Sequence, residues 1–183
     1  MAVHQQTQRT YAIAGDADEG NLAVVLLDAN LQVVDTVDGG DLARDLAGHD
    51  GISLVIRGVA VDGDQVILLT TDHDEGSGLQ LLDLDCQFLR TIVAGQLGIR
   101  DPRAFATSQG RVYLVDDDGD DDLASGKVLL VIDIQSGDIL QRVGVNLYLK
   151  GEISAVLVDG DEIFIACYEG NKVVALRYAG SEA

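Results

Sequence analysis

Short apolar runs recur along the chain with polar turns between them, and this pattern predicts strands. TYAIA (10–14), QVILLT (65–70), RVYLV (111–115) and EIFIA (162–166) are rich in β-branched and aromatic residues. Each is followed by a polar loop and a second run: LAVVLLD (22–28), LQLLDLD (79–85), KVLLVID (127–133) and KVVALRY (172–178). Three of these continue through a tight polar turn into a third run: LQVVDTV (31–37), QFLRTIV (87–93) and GDILQRV (137–143). RGVAVDGD (57–64), RAFATSQG (103–110) and SAVLVDGD (154–161) stand before the last three members of the first group. Aligning the second runs superimposes Leu27, Leu82, Ile132 and Leu176, spaced by 55, 50 and 44 residues.

A four-strand antiparallel meander repeated at this spacing predicts an all-β fold, a β-propeller of four blades. Each small sheet is apolar on both faces and must stack on neighbours to be stable. A β-sandwich also uses many short strands, but the repeat register argues against it. The runs give fourteen strands, with the second strands beginning near Tyr11, Val66, Val112 and Ile163. The predicted organisation is an N-terminal extension (1–9), units at about 10–52, 53–100, 101–150 and 151–179, and a tail (180–183). The first unit is expected to lack its inner strand and the last to stop after its third. The one helical candidate, GDLARDLAGH (40–49), lies in a connection.

Two repeats resemble NHL-type propeller repeats: IRGVAVDGDQVILLTTD…GLQLLDLDCQFLRTI (56–92) and DPRAFATSQGRVYLVDDD…KVLLVIDIQSGDIL (101–140). The resemblance covers about two-thirds of the chain and implies strand order and turn positions. It implies no single activity, because the family includes RNA-binding, protein-binding and enzymatic members. Complete members have more blades than four. Three closures are therefore open: a tight four-blade ring, two chains joined face to face, or further blades in a longer chain.

Charge sharpens the functional reading. The chain carries 31 acidic residues, 25 of them Asp, against 12 Lys and Arg, for a net −19. Nucleic acid is a poor partner for such a surface. In a propeller, the loops between second and third strands share one face with the blade-to-blade connections. The loops at 16–21, 72–78 and 116–126 carry −3, −3 and −6; the connections at 38–51, 95–103 and 144–152 carry −3, +1 and 0. That places −14 on one expected face.

Three loops alternate Asp as a hard cation would ask: Asp16 and Asp18, Asp72 and Asp74, and Asp116 with Asp118 and Asp120. They are the candidate metal residues, with weak Ca²⁺ the candidate ion, although Gly119 comes too early for the usual calcium-loop spacing. Asp and Gly also make ordinary turns. Arg57, Arg103 and Glu152 stand at the starts of the inner strands and are the candidate ligand-binding residues. The simpler role for Arg103 is a pair with Asp101. In the similar propeller lactonases, inner-strand carboxylates and an Asn hold a divalent ion; here only Glu152 corresponds to any of them.

No catalytic constellation emerges. His4, His49 and His73 are scattered, with His4 at an expected mobile terminus. Cys86 and Cys167 lie too far apart for a zinc motif and read as ordinary thiols. The segment MAVHQQTQRT lacks the apolar core of a secretory signal, and no run approaches the roughly 18 residues of a membrane helix. The leading expectation is a non-catalytic binding or scaffold module acting through an acidic loop face, with a protein partner or a second copy. The alternatives are a divalent-metal-dependent propeller hydrolase or lyase, and a self-associating structural protein.

Overall fold

The computed structural model describes residues 1–16, 21–38, 55–72, 76–93, 99, 101–117, 126–145, 151–168 and 171–178. Among these are fifteen strands and no helix. They are β1 (Ala2–His4), β2 (Arg9–Asp16), β3 (Asn21–Leu27), β4 (Val33–Asp38), β5 (Val55–Asp62), β6 (Gln65–Asp72), β7 (Gly76–Asp83), β8 (Phe88–Val93), β9 (Pro102–Ser108), β10 (Arg111–Asp116), β11 (Val128–Asp133), β12 (Ile139–Gly144), β13 (Ile153–Asp159), β14 (Glu162–Cys167) and β15 (Lys172–Arg177). The candidate helix at 40–49 lies outside the described residues.

Four antiparallel sheets result, in the orders β1-β2-β3-β4, β5-β6-β7-β8, β9-β10-β11-β12 and β13-β14-β15. Each strand pairs with its sequence neighbour, as short turns dictate. The first sheet corrects the expectation of a missing inner strand: Ala2, Val3 and His4 pair with Tyr11, Thr10 and Arg9. The polar QQTQ segment is the turn, not the strand, and so conceals a strand of only three residues. His4 is accordingly buried rather than mobile, its Nδ1 accepting hydrogen bonds from Thr7 Oγ1 (2.7 Å) and Thr7 N–H (3.4 Å).

Turn chemistry repeats with the sheets. The pairs Asp62–Gln65, Ser108–Arg111 and Asp159–Glu162 close two-residue hairpins. In the second of these, Gln109 and Gly110 both take positive φ, 54° and 74°. That is the conformation whose twist matches a hairpin. A β-carbon at Gly110 would meet nothing within 4 Å, so backbone conformation rather than crowding selects glycine there.

At the next turn an aspartate accepts backbone N–H bonds. Asp28 Oδ1 takes those of Asn30 (2.8 Å) and Gln32 (2.9 Å), Asp83 Oδ1 those of Asp85 (2.9 Å) and Gln87 (2.8 Å), and Asp133 Oδ1 that of Ser136 (2.7 Å). These N–H groups hold the Asp28 and Asp133 carboxyls below the usual carboxylate range. A depressed carboxyl stabilises the fold above its unfolded pKa, and that contribution is lost as pH falls through the folded value. Asp133→Ala is therefore expected to cost about 1 kcal/mol near pH 7. The gap to the parent should narrow in urea titrations near pH 3. An equal gap at both pH values would refute the cap.

The chain divides into two compact units, Met1–Gly98 and Ile99–Ala183. In the first, Tyr11, Val24 and Leu26 pack with Ile56, Val66, Leu68, Leu82 and Cys86. In the second, Tyr113, Val115, Leu129 and Val131 pack with Ile153, Ile163, Ile165, Cys167 and Tyr178. Burial pushes the Cys86 thiol up to about 11, so it is a packing group rather than a nucleophile at neutral pH.

Both units use the same fastening. In the first, Arg9 Nη1 donates to Leu84 O (2.8 Å) and Asp85 Oδ1 (2.6 Å), and Tyr11 OH donates to Leu84 O (2.8 Å). In the second, Arg111 lies 4.9 Å from the Tyr178 ring centroid, and Tyr113 meets that ring edge-on at 6.1 Å. Leu84 and Tyr178 each follow the last residue of a third strand. An Arg-x-Tyr on one sheet thus grips the residue after the third strand of the following sheet, twice.

Candidate functional site

Strand register brings the start of each first strand to the end where the second strand leaves for its loop. Ile56 pairs with Thr70, Pro102 with Asp116, and Ile153 with Cys167. Beside each pair a bulge leaves one residue out of the ladder: Arg57 between Ile56 and Gly58, Arg103 between Pro102 and Ala104, and Ser154 between Ile153 and Ala155. A bulge at a sheet rim re-aims a side chain outward, and all three residues are exposed.

Glu152 stands just before its first strand, outside the bulge position that the two arginines hold. Ser154 holds the bulge position in the fourth sheet, and Glu152 stands where Asp101 stands in the third. The matched backbone bonds Tyr168 N–H to Glu152 O (2.8 Å) and Asp117 N–H to Asp101 O (2.9 Å) confirm the alignment. The signal was present in IRG, PRA and ISA, which align without a gap.

The side chains at these ends are already engaged. Arg57 Nε donates to Thr71 Oγ1 at 3.3 Å. Arg103 Nη2 pairs with Asp101 Oδ2 at 2.5 Å, the neighbour named from sequence. Lys127 Nζ lies 3.0 Å from Asp117 Oδ2, with both side chains largely shielded. Ser154 Oγ donates to Ala166 O at 3.3 Å.

Asp116 is 4% exposed, and its Oδ1 accepts the Asp101 N–H at 2.8 Å. Thr70 and Cys167 hold the equivalent positions in the second and fourth sheets, and both are buried. Thr70 Oγ1 donates to Gly78 O (3.3 Å) and accepts from Gln80 Nε2 (3.2 Å). Asp116 is thus a buried acceptor closing the base of the acidic loop.

Asp16 and Asp72 end β2 and β6, paired in the ladders with Asn21 and Gly76. Their side chains, and Asp18, Asp74, Asp118 and Asp120 entirely, lie outside the described residues. Among the described residues, no three His, Cys, Asp or Glu side chains converge as a metal would require. At the opposite end of the first unit, a cavity of about 280 Å³ is lined by Val3, His4, Gln5, Gln6, Val61, Asp62 and Gly63. His4 Nε2 stands 4.0 Å from Asp64 Oδ1 beside it.

No family profile matches the sequence, and no curated protein matches it. Solved structures do. Hydrazine synthase of Kuenenia stuttgartiensis is similar over 97% of this chain and 58% of its own, at 14% identity and TM-score 0.62. A chain of a nidogen/laminin complex is similar over 97% of this chain and 74% of its own, at 14% identity and TM-score 0.57. The chain thus spans little more than half of the hydrazine synthase chain. These likenesses and the four antiparallel sheets establish a β-propeller fold.

Proposed function

We propose that the chain is a non-catalytic binding or scaffold module, of the NHL type, that takes a basic protein segment at the loop end of its third sheet. The observation that supports this reading is charge pairing at the loop base. Arg103 and Lys127 are each tied to their own aspartate. Residues 118–125 then add Asp118, Asp120, Asp121 and Asp122 with no cation among them. A surface so arranged attracts cationic side chains and repels nucleic acid. A β-propeller also occurs in the nidogen/laminin complex, which supports a protein partner as one use of the fold.

The test is calorimetric titration with a lysine-rich decapeptide at low and high salt. Binding should weaken as salt rises, and neutralising Asp118, Asp120, Asp121 and Asp122 to Asn should weaken it at least tenfold. Absence of binding at low salt, or unchanged binding in the neutralised variant, would overturn the reading. Heat from millimolar Ca²⁺ without heat from the peptide would replace it with the metal reading.

A further inference from the structure

We propose that the cavity beside His4 is a binding site for a neutral sugar, held through a hydroxyl that bridges His4 and Asp64. β1 and its turn form one wall, with Val3, Gln5 and Gln6, and the β5–β6 hairpin forms the other, with Val61 and Asp62. Both walls belong to the unit Met1–Gly98. At about 280 Å³ the cavity is smaller than the roughly 300–1,000 Å³ pockets that take drug-sized ligands, a size that suits one sugar ring.

His4 sets the chemistry. Its side chain is only 8% exposed. Because Nδ1 accepts the Thr7 N–H, the ring proton is on Nε2. That N–H donates to no described residue, since Asp64 Oδ1 stands 4.0 Å away, past the roughly 2.7–3.2 Å of a hydrogen bond. A buried donor left without an acceptor is costly. One oxygen about 2.8 Å from each atom closes the gap, provided that it accepts from His4 and donates to Asp64.

That double requirement selects the ligand. A hydroxyl accepts and donates at once. An ammonium group cannot accept, and an ether or carbonyl oxygen cannot donate. A carboxylate cannot donate either, and it would face the carboxylates of Asp62 and Asp64 in a chain of net −19. The Gln5 and Gln6 amides each offer a donor and an acceptor, which suits the further hydroxyls of a sugar. Val3 and Val61 give the cavity the apolar lining against which a ring's C–H groups pack.

NMR of the imidazole rings in the full chain tests the site, with methyl glucoside, methyl mannoside and methyl galactoside as probes. His4→Phe assigns the His4 signals; should that variant unfold, the Thr7 amide, bonded to the same ring, carries the readout. At least one glycoside should shift the His4 Nε2 signal and saturate in the millimolar range, usual for so small a ligand. Asp64→Ala, at a side chain 88% exposed, should leave the circular dichroism unchanged and weaken that binding at least fivefold. Dimethoxyethane, which accepts without donating, and methylammonium, which donates without accepting, should shift nothing. Methyl maltoside separates two sources of the same chemistry: tighter binding than methyl glucoside marks a glycan chain as the occupant, and equal or weaker binding a free sugar. No shift from any glycoside at about 100 mM would overturn the proposal and leave water as the partner of His4. So would binding undiminished in Asp64→Ala, or a shift of equal size from methylammonium.

Discussion

Tyr113→Ala is expected to lower the unfolding free energy by about 3–5 kcal/mol, the usual cost of removing a buried aromatic ring. Tyr113 is buried on β10, and its ring is the edge-on partner of Tyr178 in the core between the third and fourth sheets. Its loss opens a cavity that flanking strands, pinned by their ladders, cannot collapse to fill. Tyr113→Phe keeps the ring and removes only the hydroxyl that Arg111 bonds, a contact that helps raise the guanidinium pKa. That change should cost about 1 kcal/mol. Urea unfolding of the two variants and the parent at neutral pH checks the ordering. Equal losses would mean that the hydroxyl, not the ring, holds the joint.

The second expectation sets two adjacent valines apart. Val174→Asp should destabilise the second unit by about 3 kcal/mol, because it buries an uncompensated carboxylate. Val174 sits opposite Ile165 and packs into the core with Ile163 and Cys167. Val173→Asp, one residue earlier, should change stability by no more than about 0.5 kcal/mol, since a 66% exposed site tolerates a charge. The register puts Val174 inward and leaves Val173 and Ala175 outside. A one-residue step reverses every side chain of a strand. Thermal melts of both variants decide the matter, and similar melting points would refute the assigned faces.

Much of the fold was legible because strand, turn and repeat signals agreed. Runs such as QVILLT and RVYLV are buried at consecutive residues, from Val66 to Leu69 and from Val112 to Val115, so the apolar pattern was continuous where a sheet is covered on both sides. The short strand Ala2–His4 escaped because three residues carry too little pattern to stand out. The ends of the sheets were less legible. A bulge shifts register by one residue, so Ser154 rather than Glu152 shares the place of Arg57 and Arg103, a detail that residue type at a strand's start does not reveal. The aspartates were read by their charge and their spacing in the loops. Asp28, Asp83 and Asp133 are turn acceptors and Asp116 is a buried acceptor, roles set by hydrogen-bond geometry that composition does not contain.

The paired Arg-x-Tyr fastening also has a kinetic meaning. Hairpins closed by two-residue turns form within microseconds, because their contacts are local. The Arg9 and Tyr11 bonds to Leu84 and Asp85 span 73 to 76 residues of sequence, so loop closure delays them until both sheets exist. Contacts made after the rate-limiting barrier leave the folding rate almost untouched and govern how fast the native state opens. The two fastenings would then set the lifetime of the folded protein more than the speed with which it is reached.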